Sequence, residues 1–337
     1  MKSRKLTLVI LTVATMVLFS GCWLIPSGPA EGVASNEAIY VMNGGSGTIS
    51  IIDIEEDSVY NDVALTGTYP NQLYVWEEKL YCVNSGSNNI SIYNTETMAA
   101  EGSIDLGVGN NPMEMVAVSE DIAYVSNLMT NRVFKINLAT KTVLDSIEAG
   151  IGATGIAVAD NKLYVSNTGY DALTYSYAPG TVSVIDTDED SLIATINVGT
   201  NPQDLAVDAL GKVHVLCTGN YFSEYAMVYV IDPATDTVVD TTSIGDKNSA
   251  GVLFIDQASN SGFCGSWGAG AVRYHTSTLA NAQFSAKGAT GITVDDDENI
   301  WMSNWGNNTV YQADVAGTLI DSIVVGTGPQ SLVYVKK

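Results

Sequence analysis

Positive charge is scarce in this chain. Its 337 residues include 14 lysines and arginines against 37 aspartates and glutamates, which gives a formal net charge of −23. A surface this acidic repels nucleic acid and anionic lipid head groups, so neither is expected as a partner. Acidic runs at 53–57, 186–190 and 295–298 lack the glycine-centred loop and terminal glutamate of a known calcium motif, so we interpret them as solvated turns.

Cysteine and histidine are also rare. Three cysteines, Cys82, Cys217 and Cys264, follow the N-terminal segment, and an odd number at unmatched strand positions predicts buried free thiols rather than disulfides. The two histidines, His214 and His275, have neither the spacing of metal ligands nor a neighbouring nucleophile. Glycine-rich phosphate loops and haem-attachment patterns are missing, so we predict no cofactor, and the sequence favours a binding protein over an enzyme.

The longest apolar run, residues 6–19, is too short to span a bilayer. It follows three basic residues and ends at Ser20-Gly21-Cys22, which is the arrangement of an export signal with small residues before the cleavage point. A cysteine at this place resembles the bacterial lipoprotein box. An ordinary secretory signal cut elsewhere is the alternative.

The lipoprotein resemblance implies a lipid anchor. Residues 1–21 are then the signal peptide, and Cys22 carries more than one acyl chain, enough for stable attachment to a membrane. Residues 22–36, rich in proline and glycine, are expected to form a flexible tether. We therefore expect a monomeric protein anchored in the bacterial cell envelope, at the outer membrane, facing the periplasm or the exterior.

A four-residue phrase recurs seven times, and this repeat predicts the fold. Its copies lie at 40–43, 81–84, 124–127, 164–167, 214–217, 263–266 and 301–304. They begin 38 to 50 residues apart, a period typical of repeat architectures. Because each unit contains short alternating apolar runs between Gly, Asn, Asp and Pro, we predict that the unit is a blade of a β-propeller.

The fourth repeat predicts the four strands of one blade, at 155–160, 162–167, 181–186 and 192–198. In six repeats the turn between the third and fourth strands begins with an aspartate or asparagine, whose side chain can bond the backbone two residues on. These residues are Asp53, Asn94, Asn137, Asp186, Asp232 and Asp314. We place Thr276 at the equivalent position of the sixth repeat.

The two ends of the chain predict how the ring closes. The chain enters at a second-type strand, 38–43, and leaves after a first-type strand, 331–335, so the C-terminus supplies the missing strand of blade one. Closure also removes the open edges that a linear stack would expose. We therefore predict an all-β, seven-bladed β-propeller with four antiparallel strands per blade, in one domain at 37–337.

Three segments, 162–167, 182–187 and 196–202, resemble the repeats of a known family. They are similar to those of the YVTN-type seven-bladed propellers, bacterial envelope proteins that include the YncE-like and surface-layer repeat proteins. The resemblance covers 37–337, and blades five and six depart from it most. It implies the propeller fold, but members of the family do several jobs, so function must be argued from a site.

Two long loops are candidates for that site. Most loops from second to third strands are short, whereas 168–180 in blade four and 218–226 in blade five are long. With the starts of the matching loops in blades six and seven, they bring aromatic residues to one side of one face. These are Tyr170, Tyr175, Tyr177, Tyr221, Phe222, Tyr225, Trp267 and Trp305. Each ring can bury about 150 to 250 Å², so either the loops pack on each other or a ligand covers them.

Opposite these loops, the turns that enter the first strands bring four polar residues near the central channel. They are Gln72, Glu114, Asp204 and Ser331. Gly155, Gly251 and Gly291 are predicted at the matching positions of other blades. Such a funnel suits hydrogen bonding or a cation, although solvation by channel water accounts for each residue taken alone.

Three functions remain open from the sequence. We expect a non-enzymatic, lipid-anchored propeller whose aromatic loops bind a partly apolar small molecule or an envelope protein. A metal-dependent hydrolase or lyase using the carboxylates Glu114 and Asp204 is one alternative. A scaffold in an envelope protein complex is another.

Overall fold

The computed structural model describes residues 36–171, 174–245 and 250–337, which form a seven-bladed β-propeller, as predicted. Each blade is a four-stranded antiparallel sheet, and one additional two-stranded hairpin lies in the blade-four insertion. The predicted signal peptide, the lipidation site Cys22 and nearly all of the tether lie outside the described residues. In the described ranges, no helix is long and apolar enough to cross a bilayer.

The strands succeed one another from blade to blade. Blade one contains β1 (Glu37–Asn43), β2 (Thr48–Asp53) and β3 (Ser58–Leu65). Blade two contains β4 (Pro70–Trp76), β5 (Lys79–Asn84), β6 (Asn89–Asn94) and β7 (Ala100–Asp105). Blade three contains β8 (Pro112–Ala117), β9 (Ile122–Asn127), β10 (Arg132–Asn137) and β11 (Thr142–Glu148). Blade four contains β12 (Ala153–Ala159), β13 (Lys162–Asn167), β16 (Thr181–Asp186) and β17 (Ser191–Asn197), and its insertion contains the hairpin of β14 (Tyr170–Asp171) and β15 (Ser176–Tyr177). Blade five contains β18 (Pro202–Val207), β19 (Val213–Cys217), β20 (Met227–Asp232) and β21 (Thr237–Ser243). Blade six contains β22 (Ala250–Asp256), β23 (Ser261–Ser266), β24 (Gly270–His275) and β25 (Asn281–Ser285). Blade seven contains β26 (Gly291–Val294), β27 (Ile300–Asn304), β28 (Thr309–Ala313) and β29 (Leu319–Val324). The last strand, β30 (Pro329–Lys336), belongs to the sheet of blade one.

The last strand closes the ring as predicted. β30 pairs antiparallel with β1, so that Leu332 lies opposite Val41 and Val335 opposite Ala38. The innermost strands β4, β8, β12, β18, β22, β26 and β30 contact one another in a closed cycle around the axis. The loops from second to third strands and the blade-joining loops lie on one face, here called the loop face; the tight turns lie on the opposite turn face.

The hydrophobic core lies between blades. Seven clusters of buried side chains each combine residues from two neighbouring blades, as where Val83 of blade two packs with Val125 of blade three. Alternation along the strands produces this, because a blade in the ring has a neighbour on each face. The three cysteines of the described region are buried and free, as predicted: Cys82, Cys217 and Cys264.

In three of the four repeats that contain it, all except that of Tyr81, the tyrosine of the repeated phrase donates a hydrogen bond to the next blade on the turn face. Tyr124 Oη donates to Asp190 Oδ1 at 2.6 Å, and Tyr164 Oη donates to Asp236 Oδ1 at 2.5 Å. Both acceptors lie in the turn between the third and fourth strands of the following blade. The recurrence of tyrosine in the sequence therefore reflects a repeated contact between blades.

The asparagine of the same phrase fixes the loop face. Asn84 Oδ1 accepts the N–H of Gly67 at 2.9 Å, and Asn167 Oδ1 accepts the N–H of Gly150 at 3.0 Å. Both donors lie in the loop that enters the blade of the asparagine. The tyrosine contact at the start of the strand and the asparagine contact at its end explain why the first and last residues of the phrase recur.

The predicted aspartate or asparagine begins the turn between third and fourth strands in every blade except blade six, and it accepts a backbone N–H two or three residues on. Asp186 Oδ1 accepts the N–H of Asp188, two residues on, at 2.8 Å. In blade six, His275 ends β24 and its Nδ1 accepts the N–H of Ser277 at 3.2 Å. The equivalent residue is therefore His275, and the prediction of Thr276 is wrong by one residue.

Candidate binding site

A cavity of about 520 Å³ lies at the axis and opens on the loop face. All seven innermost strands line it, and the predicted channel residues Gln72, Glu114, Asp204 and Ser331 are among its lining residues. Tyr221 and Trp267 from the long loops line the same cavity. The structure thus brings polar and aromatic candidates together rather than opposite each other. The volume is within the range of small-molecule sites, about 300 to 1,000 Å³.

Each of the four channel residues accepts a hydrogen bond from the innermost strand of the next blade. The bonds run from Leu73 N to Ser331 Oγ (3.1 Å), from Met115 N to Gln72 Oε1 (2.8 Å), from Ile156 N to Glu114 Oε2 (3.2 Å) and from Leu253 N to Asp204 Oδ2 (2.7 Å). These side chains therefore join blades around the axis in addition to lining the cavity.

The matching position in the other three blades has no polar side chain. Gly155 and Gly291 hold it in blades four and seven, as predicted, whereas the strand register places Val252 there in blade six instead of Gly251. A Cβ atom at Gly291 would lie 2.0 Å from the carbonyl oxygen of Gln330. Neighbouring strands approach too closely at that point for any other residue. At this strand position, polar side chains therefore occur only in blades one, two, three and five.

The charge of Asp204 acts on Glu114 in the cavity. Burial, followed by the charge of Asp204, raises the pKa of Glu114 well above its usual range, against the effect of the bond from Ile156. Burial also raises the pKa of Asp204 to about 7, although the N–H groups of Leu253 and Leu205 favour its ionised form. Proton uptake and release at Asp204 therefore fall near neutral pH.

The insertions of blades four and five pack on each other. Tyr170 and Tyr177 are paired across the hairpin with ring centroids 5.4 Å apart, and Tyr177 lies 6.1 Å from Tyr221. Burial and then the neighbouring phenol of Tyr221 raise the pKa of Tyr177 to about 12. Mutual packing of the loops, one of the two alternatives from the sequence, accounts for Tyr170 and Tyr177 and covers part of Tyr221, which stays 44% exposed.

The remaining aromatic residues are only partly covered. Trp267 stacks with Trp305 at 5.2 Å between ring centroids, and Trp305 is half-buried. Since Tyr221 and Trp267 both line the cavity, the tyrosine and tryptophan groups lie around one mouth. The exposed fractions of the others stay high: Tyr175 80%, Phe222 85%, Tyr225 52% and Trp267 60%.

The loop face carries further apolar residues that the sequence did not reveal. They are Tyr69 (80% exposed), Val108 (98%), Met129 (52%) and Ile151 (55%). A groove runs between Met129, Ile151 and the hairpin residue Tyr170. Each is a single apolar residue in a short connection, where no periodic pattern distinguishes it from a scattered surface residue.

His214 has a structural environment and does not line the cavity. His214 is fully buried, with Nε2 3.2 Å from Asp208 Oδ2 and Nδ1 3.0 Å from Tyr274 Oη. Burial lowers its pKa, against the effect of Asp208. Within the described ranges, no group of three or more His, Cys, Asp or Glu side chains is arranged to hold a metal ion. Glu114 and Asp204 stand as a pair.

Comparison with known proteins shows the fold. No protein-family model matches the sequence, and no curated protein matches it. Among solved structures, a functionally unknown protein from Desulfotomaculum acetoxidans is similar with a TM-score of 0.70 and 10% identity, over 90% of this chain and 99% of that one. A quinoprotein alcohol dehydrogenase-like protein from Bacteroides thetaiotaomicron is similar at 0.66 and 14%, over 89% and 78%. Virginiamycin B lyase from Staphylococcus aureus is similar at 0.62 and 12%, over 79% and 91%.

These similarities are all below 25% identity, so they show a shared architecture. Propellers with the same strand order support unrelated chemistry. The activities named for the neighbours therefore remain theirs, and the function of this chain must be argued from its own cavity.

Proposed function

We propose that this protein is a lipid-anchored, YVTN-type propeller of the bacterial envelope that binds a small, partly apolar ligand at the mouth of its central cavity. Binding, without catalysis, is the proposed activity. The observation that carries the proposal is that Tyr221 and Trp267 share one cavity of about 520 Å³ with Glu114 and Asp204.

The lining of the cavity supports a small-molecule site. Such sites combine apolar and aromatic walls with a few convergent polar groups. Here the rings of Tyr221 and Trp267 are 44% and 60% exposed at the mouth, while the carboxyl groups lie on the innermost strands. A flat ligand placed between the rings would cover apolar surface that the two loop insertions leave open. Stacking on such rings contributes about 0.5 to 1.5 kcal/mol beyond the burial of area.

The anchoring part of the proposal is supported by the sequence alone. The basic start, the apolar run 6–19 and Cys22 after two small residues form an export and lipidation signal. The YVTN assignment is supported by the repeated phrase and by the contacts that its tyrosine and asparagine make between blades. Both features suit a binder held at a membrane surface by a tether.

A ligand search on the full chain tests the proposal. We expect small-molecule extracts of the producing cell to change the intrinsic tryptophan fluorescence, and native mass spectrometry to show the retained mass. Trp267→Ala and Tyr221→Ala should each weaken binding about tenfold or more, since each removes a stacking surface. Leu210→Ala is the control, because Leu210 is 69% exposed on the turn face. Saturable binding that is unchanged in both cavity variants would contradict the proposed site.

A scaffold role is the second candidate. The exposed apolar residues outside the cavity, including Tyr69, Val108 and Phe222, extend over the loop faces of blades two to five and would suit contact with a protein. In that case mild crosslinking in the native cell should retain a stoichiometric protein rather than a small molecule. The hydrolase or lyase alternative has two carboxyl groups in the cavity and no further observation in its favour.

A further inference from the structure

We infer that the cavity selects an organic cation, a small ammonium compound with an aromatic or apolar body, whose charge is bound by Glu114 and Asp204. This inference rests on the proposed function and adds the chemical class of the ligand. It follows from the placement of charge, unpaired acceptor atoms and aromatic rings around the same space.

The charged side chains that line the cavity in the described chain are all acidic. Glu114 and Asp204 both line it, whereas no lysine, arginine or histidine is among the described lining residues. Several carboxyl groups elsewhere in the described chain have basic partners, as in the 2.6 Å pair of Lys135 with Asp190 and the 2.8 Å pair of Lys162 with Asp236. When they are ionised, two partly buried carboxyl groups without a counter-charge create a negative potential at the axis.

The carboxyl groups have free acceptor capacity. Glu114 uses Oε2 to accept the N–H of Ile156, and its Oε1 accepts no hydrogen bond from the described residues. Asp204 accepts one N–H on each oxygen, from Leu205 and Leu253, and each oxygen has a second lone pair. An ammonium group carries up to three N–H donors and no acceptor, so it complements this arrangement, whereas an anion does not.

The rings at the mouth suit the same class of ligand. Tyr221 and Trp267 line the cavity and keep about half of their surface exposed, 44% and 60%. Tryptophan and tyrosine faces attract a cation through the ring quadrupole and also stack on an aromatic body. A volume of about 520 Å³ accommodates a compound of one or two rings.

The pH dependence of such binding has a definite sign. The raised pKa values of Glu114 and Asp204 leave the pair partly protonated near neutrality. A cation favours the ionised pair, so its affinity should increase from about pH 5 to about pH 8, with release of a proton on binding. The other titratable groups around the pair are Tyr74, Tyr221, Cys264 and Tyr274. Burial raises the pKa values of Tyr74, Cys264 and Tyr274, so they do not titrate in this interval.

Calorimetric titration of the full chain with three matched probes tests the inference. The probes are phenethylammonium, 2-phenylethanol and phenylacetate, which share a ring and differ in charge. We expect phenethylammonium to bind about tenfold or more tightly than 2-phenylethanol, and phenylacetate to bind least. Glu114→Gln should weaken phenethylammonium about tenfold and leave 2-phenylethanol within about twofold, because the amide keeps an oxygen for Ile156 and loses the charge. Glu120→Gln, the same change at an exposed carboxyl group in the turn between β8 and β9 on the turn face, is the control and should leave both probes within about twofold.

The outcomes separate this inference from the proposed function. Equal binding of the cation and the alcohol, or an unchanged cation affinity in Glu114→Gln, overturns the inference while the site itself stands. Binding of Ca²⁺ without binding of phenethylammonium overturns it in favour of a metal site. Failure of all three organic probes also overturns it. The extract titration with the Trp267 and Tyr221 variants then decides the proposed function independently.

Discussion

At the scale of single residues, Glu114 has one contact that stabilises the fold and an ionised form that destabilises it. Its Oε2 joins blade three to blade four through Ile156, yet burial and Asp204 make its ionised form unfavourable. A group whose pKa is raised in the folded state contributes most stability below its unfolded pKa of about 4.3, and that contribution is lost as pH increases through the folded value. The cavity is therefore expected to weaken the fold at neutral pH, a common cost of binding sites.

Substitution of this residue by its amide tests that conflict. We expect Glu114→Gln to increase stability by about 1 kcal/mol at about pH 8 and by little at about pH 4. Asp204→Asn should give no such gain, because both oxygens of Asp204 accept backbone N–H groups and an amide has only one oxygen. Thermal unfolding of the three proteins across pH measures this. Parallel curves for wild type and Glu114→Gln would show that the carboxyl group carries no penalty.

At the scale of the blade, stability depends on contacts that pass from one element to the next. Lys135 and Tyr124 both bind Asp190, and the same pattern of lysine and tyrosine recurs one blade later at Asp236. The aspartate raises the pKa of each tyrosine after burial does. The bonded proton thus belongs to the phenol, and the hydroxyl is the group that matters for the contact.

Removal of that hydroxyl gives a prediction for the blade contacts. Tyr124→Phe and Tyr164→Phe should each cost about 1 kcal/mol, less than the 1.5 to 3 kcal/mol of a fully buried bond to a charged group, because the aspartates are partly solvated. Tyr81→Phe is the matched control, since the Tyr81 ring is buried but its hydroxyl makes no hydrogen bond to the described residues. Urea unfolding measures all three. An equal loss in the control would assign the effect to ring packing.

The elements that repeat could be predicted from the sequence, and those that occur once could not. The predicted strands 162–167 and 181–186 are β13 and β16 to the residue, because seven copies of one pattern reinforce each boundary. The hairpin of β14 and β15 has no counterpart in other blades, so no periodicity signalled it. Val252 was missed because β22 begins with Ala250 and lacks the proline that begins β4 and β18 two residues before their channel residues.

At the scale of the whole molecule, the sequence predicted the members of the candidate site but not their arrangement. Glu114 and Asp204 belong to blades three and five and become neighbours only because the ring brings alternate blades to one axis. The same closure brings the loops of blades five and six to the mouth above them. Distances across the axis also depend on the tilt of the blades, which local sequence patterns do not encode.

Closure of the ring is therefore the property that both fold and site require, and its removal can be tested directly. A chain that ends at Gly328 lacks β30, and with it Leu332 from the core between blades seven and one and Val335 from the core between blades one and two. The free edge of β1 is also exposed. The loss of these two core side chains, at about 2 to 5 kcal/mol each, together with the lost strand pairing is comparable to a typical total stability of about 5 to 15 kcal/mol. We expect no cooperative thermal transition by circular dichroism and rapid hydrogen exchange in every blade, whereas deletion of Lys337 alone should leave both close to wild type. Cooperative melting of the shortened chain at the wild-type temperature would show that the blades are held by their neighbours without closure.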